Sequence, residues 1–169
     1  MIAILAAWNR KSAQEATGDL LSCCAANRWA AQLVALRPFA DEEALYSAAD
    51  QVWAEMEETD WMEAFLAHPR IGHRKTPHAS AQSSHWSQQE QSSVNTAQSG
   101  VLEELAAGNQ RYEERFGFTY IVCASSKSAD EMLAILNRRL PGARQAELRE
   151  AAEQQRQITQ IRLRKWLQP

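Results

Sequence analysis

Helix-start signals recur along this chain, and they constrain its fold more than any other feature of the sequence. Ser12 and Ser128 are each followed three residues later by a glutamate, which is the pattern of a capping box. Asp41 precedes two glutamates and an apolar stripe, as an N-cap residue does, and Asp60 begins a further short apolar stretch. Amphipathic helices bury their stripes against one another, so the sequence predicts an all-α, single-domain bundle of about seven to nine helices.

Proline and glycine mark where these helices end. Pro69 disfavours α geometry in the residue before it, so the helix that begins at Asp60 must end near His68. The apolar run 116–124 has the composition of a strand but no partner strand, which indicates either a buried extended stretch or a buried helix. We expect helices over 12–24, 29–36, 41–56, 60–68, 87–107, 128–140 and 143–167, with a break at 108–109 before a short helical stretch to 115.

Length, charge and cysteine content place the chain in a broad class. Its 169 residues suit one compact domain over 1–169. The net charge is −3, and basic and acidic residues are mixed along most of the chain. A nucleic-acid binder normally has a basic face, so this pattern argues against a nucleic-acid partner. No apolar run approaches the ~20 residues that span a bilayer, so we expect no membrane partner. Three cysteines without a framework spacing are typical of reduced thiols, which predicts a cytoplasmic protein.

All four histidines lie within one 18-residue window, 68–85, in the least regular part of the chain. Their gaps of five, five and seven residues match neither the i, i+4 pair of a helical metal site nor a zinc pattern, so we expect no metal. The segment 70–86 is interpreted as an ordered loop or a mobile lid, with His73, His78 and His85 as surface residues.

His68 is different because it closes a short apolar helix and is followed by a proline. An imidazole held there could serve as an acid or a base near neutral pH. A histidine at a helix C-terminus also interacts favourably with the helix dipole, and spacing alone does not choose between the two interpretations.

The segment 87–91, Ser-Gln-Gln-Glu-Gln, also has two interpretations. Ser87 and Glu90 fit a capping box at the start of a helix. A helix N-terminus is also an anion site, where Ser87, Glu90 and Gln91 could bind a small polar group. Cys123 lies in an apolar run and is interpreted as a core residue rather than a nucleophile.

Four segments, taken in order, resemble the motifs of one enzyme family, 2-oxo-4-hydroxy-4-carboxy-5-ureidoimidazoline (OHCU) decarboxylase. The order and the rough spacing agree over nearly the whole chain. The segments are His-Pro-Arg-Ile-Gly at 68–72, Ser-x-x-Glu-Gln at 87–91, Asn-x-x-Tyr-x-x-Arg-Phe-Gly-Phe at 109–118 with Ile-Val-Cys-Ala at 121–124, and Ile-Thr-x-x-Arg-Leu at 158–163.

The resemblance implies an all-α fold, a homodimer, no metal and no organic cofactor. It implies decarboxylation of the ureidoimidazoline to (S)-allantoin with stereospecific protonation, the last step of urate degradation. His68 matches the catalytic histidine of the family and Glu90 an essential carboxylate. The positions that match substrate contacts are Pro69, Ser87, Gln91 and Arg162, together with the backbone of Val122, Cys123, Ala124 and Ser125.

One departure from the family pattern affects the loop after this backbone. The family often has a small residue and then Gly-Lys-Ser, whereas this chain has Ser125-Ser126-Lys127-Ser128. A serine in the place of that glycine does not easily adopt a positive φ, so the course of the loop is left open by the sequence.

Two other functions fit parts of the pattern. A non-catalytic helical module with a polar cleft would tolerate substitution of His68 and Glu90. A metal-dependent amidohydrolase would use the histidine window and would be inhibited by a chelator. Trp8 and Trp166 are candidate anchors of a dimer surface.

Overall fold

The computed structural model describes residues 2–72 and 78–168, except for the side chains of 95 and 96. The all-α prediction is confirmed, since this part of the chain contains helices and no strand. None of the described helices combines the length and the apolarity needed to cross a membrane. The helices are α1 Ala3–Trp8, α2 Ala13–Leu21, α3 Asn27–Ala35, α4 Glu42–Ala54, α5 Glu58–Leu66, α6 Ala81–Glu90, α7 Ser99–Phe116, α8 Ala129–Arg139 and α9 Arg144–Trp166.

Three predicted caps are present in the structure. Ser12 and Ser128 each accept a hydrogen bond from the amide three residues on, and the glutamate at that position accepts the amide of the serine in return. The side chain of Asp41 accepts the amide of Ala44 at 2.8 Å at the start of α4. These caps fix where α2, α4 and α8 begin.

Three parts of the helix prediction differ from the structure. The helix α5 begins before Asp60, whose carboxylate accepts the amide of Glu57 at 3.0 Å. The helix predicted over 87–107 is in fact two helices. Ser80 caps α6 by accepting the amide of Ser83 at 3.0 Å, and the short 3-10 helix Ser92–Thr96 separates α6 from α7. The break predicted at 108–109 is also wrong, since α7 continues through it to Phe116.

The chain forms two compact units, which are described separately. The first unit comprises residues 1–64 and 156–169, and the second comprises residues 65–155. The helix α9 contributes residues to both. The single domain over 1–169 stays a prediction.

The first unit is organised around buried tryptophans. Trp8 is 1 % exposed, stacks on Phe39 at a centroid distance of 6.2 Å and meets Trp166 edge-on at 5.6 Å. Each of two indole N–H groups finds a carbonyl, Trp8 that of Ala16 and Trp29 that of Ala49, both at 3.1 Å. The interpretation of Trp8 as an exposed dimer anchor is therefore wrong, because its ring belongs to the core.

The second unit is organised around a buried ion pair between Arg139 and Glu147. Arg139 Nε donates to Glu147 Oε2 at 2.9 Å, and the Tyr112 hydroxyl donates to the same oxygen at 2.7 Å. Burial raises the pKa of Tyr112, which keeps the hydroxyl protonated as a donor. A second nitrogen of Arg139 donates to the carbonyl of Ile121 at 2.8 Å, so the ion pair reaches the segment that follows α7.

That segment, residues 118–124, is buried and belongs to neither a helix nor a strand, as one of the two sequence interpretations anticipated. Its aromatic residues pack on α7, with Phe118 5.7 Å and Tyr120 5.3 Å from the ring centre of Tyr112. The Tyr120 hydroxyl donates to the carbonyl of Met132 at 3.0 Å. The segment is therefore held by side chains on both flanking helices.

Gly108 lies in the middle of α7 because α8 packs against it. A Cβ at this position would lie 2.5 Å from Cδ2 of Leu136, a fully buried side chain with little room to move. The absence of a side chain thus permits the close approach of α7 and α8.

We expect Gly108→Ala to lower the free energy of unfolding by about 1–3 kcal/mol, since overpacking outweighs the better helix propensity of alanine. Gly100→Ala is the matched control in the same helix, where a Cβ would meet nothing within 4 Å. This control should raise stability by up to about 1 kcal/mol. Urea denaturation of both variants measures the two changes, and equal effects would show that Leu136 does not restrict position 108.

Candidate active site

His68 lies in the turn that ends α5, as predicted. Its amide donates to the carbonyl of Phe65 at 3.0 Å, and the buried Pro69 follows it. The imidazole is half-buried, and its Nε2 lies 2.7 Å from Oε1 of Gln155 on α9. Gln155 is 0 % exposed, so this contact is made inside the second unit.

The segment 87–91 lies at the opposite end of a helix from the one predicted. Ser87 is buried in the last turn of α6, Glu90 is the last residue of the helix and Gln91 is its C-cap. The capping-box and N-terminal anion-site interpretations are therefore wrong, because Ser80 caps this helix. Glu90 and Gln91 follow Ser87 by three and four residues, so the three residues share one helical face. They lie at the C-terminal end of α6, which carries partial negative charge.

A hydrogen bond joins this segment to the one that contains His68. The amide of Gly72 donates to Oε1 of Gln91 at 3.0 Å. Gly72 has φ +88°, a backbone conformation that residues other than glycine adopt only with strain. The glycine of the first motif thus turns its amide towards the last residue of the second motif.

The backbone at Cys123 is held by two side chains. Its N–H donates to Oε1 of Gln154 at 2.8 Å, and its carbonyl accepts from Nζ of Lys127 at 2.7 Å. The carbonyl of Lys127 accepts in turn from the hydroxyl of Ser93 at 2.7 Å. Both main-chain groups of Cys123 are thus engaged within the protein, and the substrate contacts predicted for the backbone of 122–125 remain a prediction.

These contacts form a closed circuit that we call the motif ring, and it gathers three of the four sequence motifs in the second unit. Short chain segments connect each bond to the next. The four bonds of the ring are Gly72–Gln91, Ser93–Lys127, Cys123–Gln154 and His68–Gln155, with lengths between 2.7 and 3.0 Å.

Sequence reasoning missed Ser93, Gln154 and Gln155 as members of this arrangement. The two glutamines lie in the polar stretch Glu-Gln-Gln-Arg-Gln at 153–157, which has the composition of a solvated helix face. Nothing in the local pattern indicates that Gln155 is buried. Only the packing of α9 in the second unit reveals it.

Ser126 settles the course of the loop that the sequence left open. Its φ is +66°, and among the described residues it is the one residue other than glycine with a positive φ. The chain therefore adopts the left-handed conformation at the position where the family often has glycine. A serine there is strained by about 1–2 kcal/mol.

We expect Ser126→Gly to raise the free energy of unfolding by about 0.5–1 kcal/mol, as relief of strain exceeds the added entropy of the unfolded chain. Ser125→Gly is the matched control, because it adds the same entropy at a neighbour without positive φ and should lower stability by a similar amount. Thermal unfolding of the two variants should therefore shift the midpoint in opposite directions. A drop in both would mean that Ser126 is not strained.

Arg162 belongs to the first unit and is 2 % exposed. Its charge acts on two buried thiols of that unit by lowering the pKa of Cys23 and Cys24, although burial is the larger effect and raises both. The net pKa of Cys24 is raised to about 11, with hydrogen bonds from Ala26 and Thr159 opposing the effect of burial. Both thiols are therefore protonated at neutral pH.

Cys24 makes stability depend on alkaline pH. The folded pKa of about 11 exceeds the ordinary thiol pKa of 9.0, so the contribution of Cys24 to stability is complete below pH 9 and is lost as the pH rises through 11. We expect the free energy of unfolding of the wild-type protein to fall over this window. The free energy of unfolding of Cys24→Ala should start lower and fall less steeply. Denaturant titrations at several pH values between 8 and 11 measure both slopes. Identical slopes would exclude Cys24 as a source of the pH dependence.

The remaining histidines have different surroundings. His78 and His85 are exposed as predicted, although His85 lies in α6 rather than in a loop. His73 and the rest of 73–77, the centre of the predicted loop or lid, lie outside the described residues. Across 2–72 and 78–168, no three histidine, cysteine or acidic residues are grouped as metal ligands would be.

Comparison with known protein families gives one match over most of the chain. Residues 9–164 match the family model described as OHCU decarboxylase. The chain is also similar to a solved structure of OHCU decarboxylase determined in the presence of (S)-allantoin. That similarity has a TM-score of 0.75 and 34% identity, and it covers 87% of this chain and 95% of the other.

Two relatives by sequence carry names from the same field of metabolism. A protein of Arabidopsis thaliana named uric acid degradation bifunctional protein TTL is 38% identical over 144 residues, which is 85% of this chain and 44% of the relative. A Haloferax volcanii protein named 2-oxo-4-hydroxy-4-carboxy-5-ureidoimidazoline decarboxylase is 27% identical, covering 75% of this chain and 73% of the relative. The chain thus spans less than half of the bifunctional plant relative.

Proposed function

The chain belongs to the OHCU decarboxylase family, and on that premise we propose that it converts 2-oxo-4-hydroxy-4-carboxy-5-ureidoimidazoline to (S)-allantoin, the last step of urate degradation. The observation that carries the proposal is the motif ring. Three segments that are far apart in sequence converge on the side of the second unit that holds His68. A structural helix end would need none of these cross-links, whereas a site with fixed geometry needs its backbone held.

The substrate itself supplies the electron sink for this reaction. Its hydroxyl and carboxylate share one ring carbon, and a C=N bond lies next to that carbon. As the carboxylate leaves as CO2, the bonding pair forms a C=C bond and the C=N pair moves to nitrogen, which takes a proton. The enol product then loses its hydroxyl proton, and the neighbouring carbon gains one. No pyridoxal or thiamine is required, and the enzyme has to orient groups and move protons.

We assign the proton transfers to His68 and a supporting role to Glu90. His68 handles the hydroxyl proton or protonates the ring carbon, and Glu90 holds the hydroxyl. The half-buried positions of both groups agree with a role at a solvent-accessible cleft. Ser87, Gln91 and Pro69 are proposed to contact the substrate. Arg162 is proposed, on its match to the family motif alone, to bind a substrate oxygen by charge-assisted hydrogen bonds.

We expect His68→Ala to lower kcat at least 100-fold, equivalent to a barrier increase of about 3 kcal/mol, because a positioned acid–base is lost. His85→Ala is the matched control, since it removes an exposed imidazole from the same region and should keep full activity. The substrate is generated in place from urate with urate oxidase and the hydrolase that follows it. Circular dichroism then follows the appearance of (S)-allantoin.

The same assay separates the decarboxylase from the two other functions. Rapid optical activity that EDTA leaves unchanged supports the cofactor-free decarboxylase, and inhibition by EDTA would favour the metal-dependent amidohydrolase. Slow formation of racemic allantoin by the wild-type protein would leave the binding module as the better function. Retained turnover in His68→Ala would exclude His68 as the catalytic residue.

A homodimer and a cytoplasmic location are part of the same proposal. The homodimer follows from the resemblance, and light scattering after size exclusion measures it directly. The three cysteines are buried and form no disulfide, which agrees with a reducing compartment.

A further inference from the structure

Gln155 is a fully buried polar side chain of the second unit, and its amide oxygen lies 2.7 Å from Nε2 of the proposed catalytic histidine. We propose that Gln155 is a positioning residue that holds the His68 ring in one orientation and one tautomer, so that Nδ1 is the nitrogen that exchanges protons with the substrate. This inference rests on the proposed function, because it assigns a nitrogen to the proton transfer that the function requires.

The tautomer follows from the chemistry of the contact. An amide oxygen carries no hydrogen, so the 2.7 Å contact between Gln155 Oε1 and His68 Nε2 requires the proton to lie on Nε2. In the neutral imidazole the lone pair then belongs to Nδ1. A ring without this bond can rotate by half a turn about its χ2 torsion, which exchanges the positions of its nitrogens and carbons. The Gln155 bond disfavours that rotation.

The position of Gln155 is fixed independently of His68. Its neighbour Gln154 accepts the amide of Cys123 at 2.8 Å, so α9 is tied to the 122–125 backbone one residue away. Gln155 is also 0 % exposed, and its amide cannot turn towards solvent. A buried amide oxygen that loses a hydrogen-bond donor is costly, and this cost favours the arrangement in which His68 donates to Gln155.

The arrangement suits a transfer between adjacent atoms. The neutral Nδ1 accepts the enol hydroxyl proton, and the imidazolium that forms returns the proton from Nδ1 to the neighbouring carbon. One nitrogen thus moves one proton from oxygen to carbon while Nε2 keeps its proton and its bond to Gln155. The amide is uncharged, so it orients the ring without adding an ionic partner that would favour the imidazolium.

The first test is NMR of the wild-type protein with ¹⁵N-labelled histidine, with His68 assigned by its absence in His68→Ala. We expect neutral His68 to carry its proton on Nε2, with slow exchange against water, and Gln155→Met to accelerate that exchange. A proton on Nδ1 in the wild-type protein, or an unchanged exchange rate in Gln155→Met, would overturn the proposal. This reading needs no substrate, so it decides the inference even if the protein forms no (S)-allantoin.

The second test is kinetic. Gln155→Met should lower kcat by about 10- to 100-fold and leave KM within about threefold, as loss of a group that orients a histidine does. Gln155→Glu retains an acceptor, so its kcat should exceed that of Gln155→Met but stay below that of the wild-type protein. The titration midpoint of His68 should rise in this variant, since the carboxylate favours the imidazolium.

Gln160→Met is the matched control, because it removes another hydrogen-bonded amide from α9, one that donates to the Tyr46 carbonyl and to Asp50. It should lower stability without changing kcat. If Gln155→Met and Gln160→Met affect kcat equally, or if Gln155→Glu recovers nothing and leaves the midpoint unchanged, Gln155 is a structural residue only. If the wild-type protein is inactive while its His68 carries the Nε2 proton, the proposed function fails and the positioning of the ring stands.

Discussion

The ion pair between Arg139 and Glu147 is the interaction on which the second unit depends. Two charges in the interior are costly unless hydrogen bonds satisfy the rest of their polar atoms. Here the Tyr112 hydroxyl donates to the carboxylate, and the guanidinium also donates to the Ile121 carbonyl. One buried cation therefore joins α7, α8 and α9 to a segment that has no sheet partner. Replacing any of these partners would leave a charge or a carbonyl unsatisfied, which explains why so polar a group occupies the core.

The same constraint explains how the candidate site is built. A backbone that is neither helix nor strand still has to pair its buried N–H and C=O groups. Around Cys123 the partners are side chains, namely the amide of Gln154 and the ammonium of Lys127. These side chains hydrogen-bond a stretch of backbone that no helix or sheet pairs. The strained φ of Ser126 fits this picture, since the bonds on either side of it determine the turn.

The sequence predicted those features of the fold and the site that local chemistry determines. The caps at Ser12, Asp41 and Ser128 and the end of a helix next to His68 follow from short patterns, and all are present. The prediction that Ser87 begins a helix was wrong, because a serine followed three residues later by a glutamate occurs equally well in the last turn of a helix. Burial of Gln155 could not be predicted, because the neighbouring residues are polar and only tertiary packing determines which of them faces inward.

The choice of an amide rather than a carboxylate beside His68 has a physical consequence. A carboxylate at 2.7 Å would favour the imidazolium and make return of its proton to the ring carbon harder, whereas an amide oxygen fixes the ring with little effect on its charge. A proton transfer from oxygen to carbon needs a group that accepts and releases with similar ease, and a group near its own pKa does both. Orientation without charge is therefore the property that α9 contributes to His68, and the buried glutamine is the side chain that provides it.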